Sequence, residues 1–153
     1  MKYFIFIDRN AFPYSQTKIW KTVLNLRLWP ELWKHVISVS IHSEGELSPS
    51  STIDCRFTLF HSVRLDFKVR LIHLKPPHYA SFRFSGDFSG QGRWILRKKG
   101  TKTSSILYLR LCPHHKLLRL ISFFPFGNEF IQYTHKRVML EGKKMIIQKL
   151  YDD

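Results

Sequence analysis

The chain has 153 residues, 44% of them hydrophobic and 15% aromatic, including 13 Phe, which is the size of one domain with a core of its own. Lys and Arg number 25 against 11 Asp and Glu, a formal net charge of +14, which favours anionic partners such as lipid surfaces, nucleic acids or acidic ligands. Two widely separated cysteines, Cys55 and Cys112, exclude a disulfide framework and a Cys-rich zinc site, and make a reducing cytoplasm the expected setting.

Residues 2–9 are aromatic and β-branched and predict a first strand that ends at Asp8-Arg9-Asn10, with a turn around Pro13. The apolar run at the start is too short for a signal peptide. The longest uncharged apolar stretch, 120–128, contains Ser122 and Pro125 and falls well below the roughly 20 residues of a spanning helix. Any membrane contact is therefore expected at the surface. Ser15 is an N-cap candidate for a helix over about 15–25, in which Ile19, Trp20, Val23, Leu24 and Leu26 recur near helical spacing. A second short helix is expected over 28–33, because Pro30 suits a first turn.

From residue 35 the period falls to two. Residues 35–42 predict a strand, Ser43-Glu44-Gly45-Glu46 a turn, and 51–60 a strand with Ile53, Cys55, Phe57 and Leu59 on one face. The strictest alternation of apolar and charged residues is 63–71, a half-buried antiparallel strand that Pro76-Pro77 must stop. Residues 78–85 turn Ala80, Phe82 and Phe84 to one side. Gly86, Gly90 and Gly92 then predict a strongly curved strand continuing through 93–97. A hairpin tip at 98–102 leads to a last strand over 103–111, with Leu107, Leu109 and Leu111 on one face. Beyond Pro113 an irregular stretch precedes a helix over about 127–151 whose apolar stripe includes Phe130, Ile131, Val138, Met139, Met145, Ile146 and Leu150. Strands followed by a terminal helix make the class α+β.

This order resembles the START-related, birch-pollen-allergen-like superfamily, particularly its bacterial polyketide cyclase/dehydrase-like or SRPBCC members. The resemblance is carried by Ile19-Trp20, by Trp29-Pro30-Glu31-Leu32-Trp33, by the run from Gly86 to Trp94, and by His135, Met139 and Gly142 in the last helix. It covers nearly the whole chain and implies one helix-grip domain over 1–153, a curved sheet wrapped around the long C-terminal helix, with an apolar cavity between them. The function it implies is binding or transport of a hydrophobic small molecule or lipid. The alternative is a cyclase/dehydrase-type enzyme acting on a polyketide-like substrate in the same cavity.

On that reading the ligand-binding candidates are Phe57, Leu59, Leu65, Phe67, Val69, Phe82, Phe84, Trp94, Leu107, Leu109, Val138, Met139 and Gly142. Gly142 interrupts a helix and is expected to mark a close approach to the curved sheet or room for ligand. Lys116, Arg119, Phe123 and Phe124 lie in a basic, bulky apolar segment expected to form either an entrance lid that docks on an anionic membrane or a short helix packed onto the body. Parity puts Arg56, Arg64, Lys68, Arg70, Arg83, Arg93 and Arg97 on the convex face, as one positive patch if their strands are neighbours.

Catalytic residues, metal ligands and cofactors are not assigned. His114-His115 lacks metal-ligand spacing, and His61, His73 and His135 could each act as an acid or base in a pocket, although single histidines are more often structural. Glu31 and Asp87 read as cap or turn residues, and the inward faces carry almost no titratable group. There is no Ser/His/Asp order, P-loop or dinucleotide fingerprint, and no helix-turn-helix, RNP or zinc-finger pattern, so specific nucleic-acid binding is not expected. The oligomeric state is left open.

Overall fold

A computed structural model describes residues 3–43, 46–59 and 62–152. Its elements are β1 (Phe4–Phe12), α1 (Gln16–Val23), a 3-10 turn (Leu26–Leu28), α2 (Trp29–Leu32), β2 (Val36–His42), β3 (Thr52–Leu59), β4 (Val63–Lys75), β5 (Tyr79–Gly86), β6 (Phe88–Lys99), β7 (Lys102–Pro113), α3 (Lys116–Phe123) and α4 (Gly127–Asp152). The strands form one antiparallel sheet in the order β1-β7-β6-β5-β4-β3-β2. From β2 to β7 each strand pairs with the next, and β1 closes on the last. The α+β order and the helix-grip arrangement expected from the sequence are both present.

Local chemistry explains most boundaries. Ser15 caps α1, its hydroxyl accepting from the Lys18 amide at 3.3 Å, and Pro30 stands in the first turn of α2. The long alternation continues past Leu71, so β4 reaches Lys75, with a register shift between Leu71 and His73, before the Pro76-Pro77 turn. The predicted turn at Ser43-Glu44-Gly45-Glu46 includes Glu44 and Gly45, which lie outside the described residues.

Three boundaries differ from expectation. First, β1 does not stop at Asp8-Arg9-Asn10 but runs to Phe12, pairing Asp8 with Leu107, Asn10 with Ser105 and Phe12 with Thr103. The ladder with β7 overrides the turn chemistry of Asp and Asn, and the period of two carries both residues onto the inward row of Phe4, Phe6 and Phe12. Second, β6 begins at Phe88 and absorbs two glycines. At Gly90 φ is +146° and a Cβ would run into the Arg110 carbonyl of β7, so the bend there requires glycine. Third, the stretch after Pro113 is not irregular but forms a short helix, one of the two forms expected for it, with His115 Nδ1 accepting from the Leu117 amide at 3.2 Å as a cap for α3.

The helices lie on the concave side. One core cluster joins Phe12, Ile19, Trp20, Leu32, Trp94, Leu96 and Ile146, with the Trp20 and Trp94 rings stacked at 5.4 Å. A second gathers Leu26, Ile53, Cys55, Val69 and Leu71, and a third Phe4, Phe6 and Leu109 against Ile131. These clusters fix α1, α2 and α4 on the sheet and leave a space between them.

Candidate ligand cavity

That space is a cavity of about 380 Å³ bounded by the concave sheet, α4, α2 and α3. Its sheet wall includes Phe57, Leu59, Leu65, Phe67, Val69, Phe82, Phe84, Trp94, Leu107 and Leu109, and its helix wall Val138 and Met139. Alternation brings these together: inward positions on five adjacent strands necessarily share one surface. Gly142 differs from its neighbours in this. It does not reach the cavity, because the Trp33 indole lies where its Cβ would stand. Its role is close packing against Trp33 at the end of α2, rather than against the sheet or a ligand as expected.

Other wall residues were not among the ligand-binding candidates, namely Phe6, Asn10 and Phe12 of β1, Trp29 and Trp33, Phe88, Ser105, Leu118 and Ile121 of α3, and Phe130, Ile131, Thr134 and His135 of α4. For β1 the signal was the uninterrupted alternation Phe4-x-Phe6-x-Asp8-x-Asn10-x-Phe12, truncated by treating its polar members as a turn.

The cavity is apolar with a few placed polar groups. His135 Nε2 meets Asp8 Oδ2 at 2.6 Å, their side chains only 16% and 10% exposed, and the His135 ring stacks on Phe6 with centroids 4.0 Å apart. The expectation of inward faces almost without titratable groups is corrected here, since β1 and α4 each contribute one. Asn10 stands one inward position beyond Asp8. Its neighbour across the ladder, Ser105, accepts from Trp94 Nε1 at 2.9 Å. Cys55 also reaches the wall. Burial, and then the negative charge of Asp54, push its thiol up to about 12.

The remaining candidates take structural places. His114 Nε2 bonds Ser89 Oγ at 2.7 Å, Asp87 Oδ2 accepts from the Asp66 amide at 2.6 Å, and Glu31 pairs with Lys149 at 3.6 Å. His73 is exposed on β4, while His61 lies outside the described residues. Among the described residues no three His, Cys, Asp or Glu gather as a metal site.

No family model and no curated protein matches the chain. Solved structures do. A START superfamily protein from Mycobacterium smegmatis superposes with a TM-score of 0.75 over 97% of each chain at 11% identity. The Zhui aromatase/cyclase from Streptomyces sp. R1128 gives 0.74 over 97% of this chain and 93% of its own at 9% identity. The di-domain aromatase/cyclase StfQ, from the steffimycin biosynthetic pathway, gives 0.76 at 10% identity over 95% of this chain. The fold is the START-related helix grip. The chain spans about half the length of StfQ, 50% of it, so the likeness is to one lobe of that protein.

At the mouth of the helix-grip cavity lies α3. Leu118 and Ile121 face the cavity, whereas Phe123 is 77% and Phe126 80% exposed, with Leu120, Phe124 and Phe130 also exposed beside Lys116 and Arg119. The four residues expected to meet a membrane thus lie on or directly after one short helix whose outer side mixes bulky apolar and basic residues.

The convex face is less uniform than parity suggested. Arg56 is tied to Asp66 at 3.0 Å and Lys68 lies 3.8 Å from Asp54, so the charge on β3 and β4 is partly paired. Arg70 lies opposite Arg83 across the β4–β5 ladder, and Arg93 covers the Tyr108 ring.

Proposed function

We propose that this helix-grip protein binds and carries a hydrophobic small molecule or lipid in the cavity between sheet and α4. The observation that carries the reading is the cavity itself, about 380 Å³ of space walled mainly by Phe, Trp, Leu, Val and Met at the centre of the fold. Filling such space with apolar atoms gains roughly 25 cal/mol per Å² removed from water. A ligand burying about 300 Å² would gain about 7 kcal/mol at that rate, from which the costs of association are subtracted. Hydrophobic ligands are also what the fold resemblance implied.

Loading is proposed to occur at an anionic membrane surface through α3. Large exposed apolar patches bordered by charge mark membrane or partner contacts, and Phe123, Phe124, Lys116 and Arg119 make such a patch over the mouth. No helix among the described residues is long and apolar enough to cross a membrane, which suits peripheral contact. Both cysteines are free and buried, in keeping with the proposed cytoplasmic setting.

Native mass spectrometry of the protein after incubation with a total lipid extract tests the carrier reading. One hydrophobic molecule per chain, released on unfolding, is the expected result; a spectrum of apo-protein alone would contradict it.

A second reading, acid–base chemistry on a bound polyketide-like substrate, is favoured by one observation, His135 on the cavity wall with its ring hydrogen-bonded to Asp8. Turnover of such a substrate that is lost in His135→Gln would support it.

A further inference from the structure

Most of the cavity offers nothing but apolar contact, yet three neighbouring inward positions depart from that pattern. On β1 the row of phenylalanines is interrupted by Asp8 and then Asn10, and across from them α4 presents His135. A strand facing a hydrophobic space loses stability for each polar group it buries without a partner, so two polar residues in succession need a reason.

Asp8 and His135 satisfy one another only in part. A carboxylate only accepts, so Nε2 of His135 carries the proton in their 2.6 Å hydrogen bond. Nδ1 of the same ring has no partner among the described residues, and neither does the side-chain amide of Asn10, although both side chains line the cavity. The free capacity at this spot is therefore one ring nitrogen, one amide N–H pair and one amide oxygen, with the hydroxyl proton of Ser105 opposite Asn10. The spot already holds a carboxylate, Asp8, which accepts from the His135 ring.

We infer that Asn10 and the Asp8–His135 couple form a polar anchor that selects hydrophobic ligands bearing an uncharged hydroxyl, alcoholic or phenolic, at one end. This rests on the carrier reading and names the ligand class within it. A hydroxyl is both donor and acceptor. It can donate to the unprotonated ring nitrogen or to the Asn10 oxygen, while accepting from the Asn10 N–H. A hydrocarbon would leave these groups unpaired. A carboxylate would bring a second anion against Asp8 in a medium that screens poorly. Of the two cations on the wall, Arg56 is tied to Asp66 at 3.0 Å, and Lys143, which could welcome a carboxylate, stands two helical turns further along α4, about 12 Å from His135 along the axis.

The test uses the full chain with N-phenyl-1-naphthylamine as a fluorescent occupant, displaced by naphthalene, 2-naphthol or 2-naphthoic acid at pH 7. In a wholly apolar cavity naphthalene would displace best, since burying an unpaired hydroxyl costs free energy. The anchor reverses that order: 2-naphthol displaces at about fivefold lower concentration than naphthalene, the scale of one net hydrogen bond, and 2-naphthoic acid is weaker than 2-naphthol. Asn10→Leu, which removes no protein–protein hydrogen bond, restores the apolar order. So does Asp8→Leu/His135→Phe, which removes both partners together and strands neither. Naphthalene matching 2-naphthol on the wild type, with the probe bound, would overturn the anchor and leave the carrier reading standing. 2-Naphthoic acid displacing best would also overturn it and move recognition to Lys143. A probe that does not bind at all would overturn the carrier reading and the anchor with it.

Discussion

Cys55 reports on the cavity from its own wall. Burial and the neighbouring Asp54 charge raise its thiol to about 12, and only the thiolate is nucleophilic, so in the native protein it is almost wholly protonated at pH 8. In a Cys112→Ala background, modification by a disulfide reagent at pH 8 is expected to run at least about 100-fold slower in the native protein than in urea. Equal rates would mean that the cavity wall is open to bulk water. Single residues were legible where alternation was strict: Leu65, Phe67 and Val69 stand among charged neighbours and could face only one way. Asp8 and Asn10 were not, because Asp-Arg-Asn carries turn chemistry and only pairing with β7 decides otherwise. The contact of His135 with Asp8 joins the two ends of the chain and leaves no trace in local sequence.

At the scale of elements, α2 is held on α4 by two devices. The Trp33 indole fills the notch left by Gly142, and Glu141 accepts from Lys34 at 2.8 Å and pairs with His35 at 3.2 Å. The Lys34 hydrogen bond is the largest influence lowering the Glu141 carboxyl below its ordinary value, with burial opposing. Gly142→Ala gains about 1 kcal/mol of helix propensity but drives a methyl into a rigid indole, an overpacking cost of about 1–3 kcal/mol. Net destabilisation of about 1 kcal/mol is expected from urea unfolding, and an unchanged or higher midpoint would show that Trp33 can yield. The α3 helix makes a separate claim. Flotation with phosphatidylserine-containing vesicles is expected to recover wild type several-fold better than Phe123→Ala/Phe124→Ala, and equal recovery would sink docking through this helix. Periodicity revealed the strands and α4, but not α3. At eight residues, with Pro125 just beyond its end, α3 is too short for a repeating stripe to stand out in the sequence.

At the scale of the molecule, a sheet that wraps one helix leaves its concave centre to be filled or kept empty, and bulky side chains at the rim keep it empty here. The alternating pattern and the order of elements carried the architecture. The volume between sheet and helix depends on how far apart the clusters at its margins hold α4, which no local pattern encodes. The positive charge divides likewise: parity placed the convex arginines correctly, but Asp54 and Asp66 pair with some of them only once β3 and β4 are aligned. The most direct measurement is a fluorescence titration of the intact protein with N-phenyl-1-naphthylamine, beside Met139→Trp, which places an indole where a flexible side chain now faces the void. Saturable uptake of one probe per chain that Met139→Trp abolishes is the expected result. Uptake that never saturates, or that survives the indole unchanged, would contradict a ligand cavity between sheet and helix.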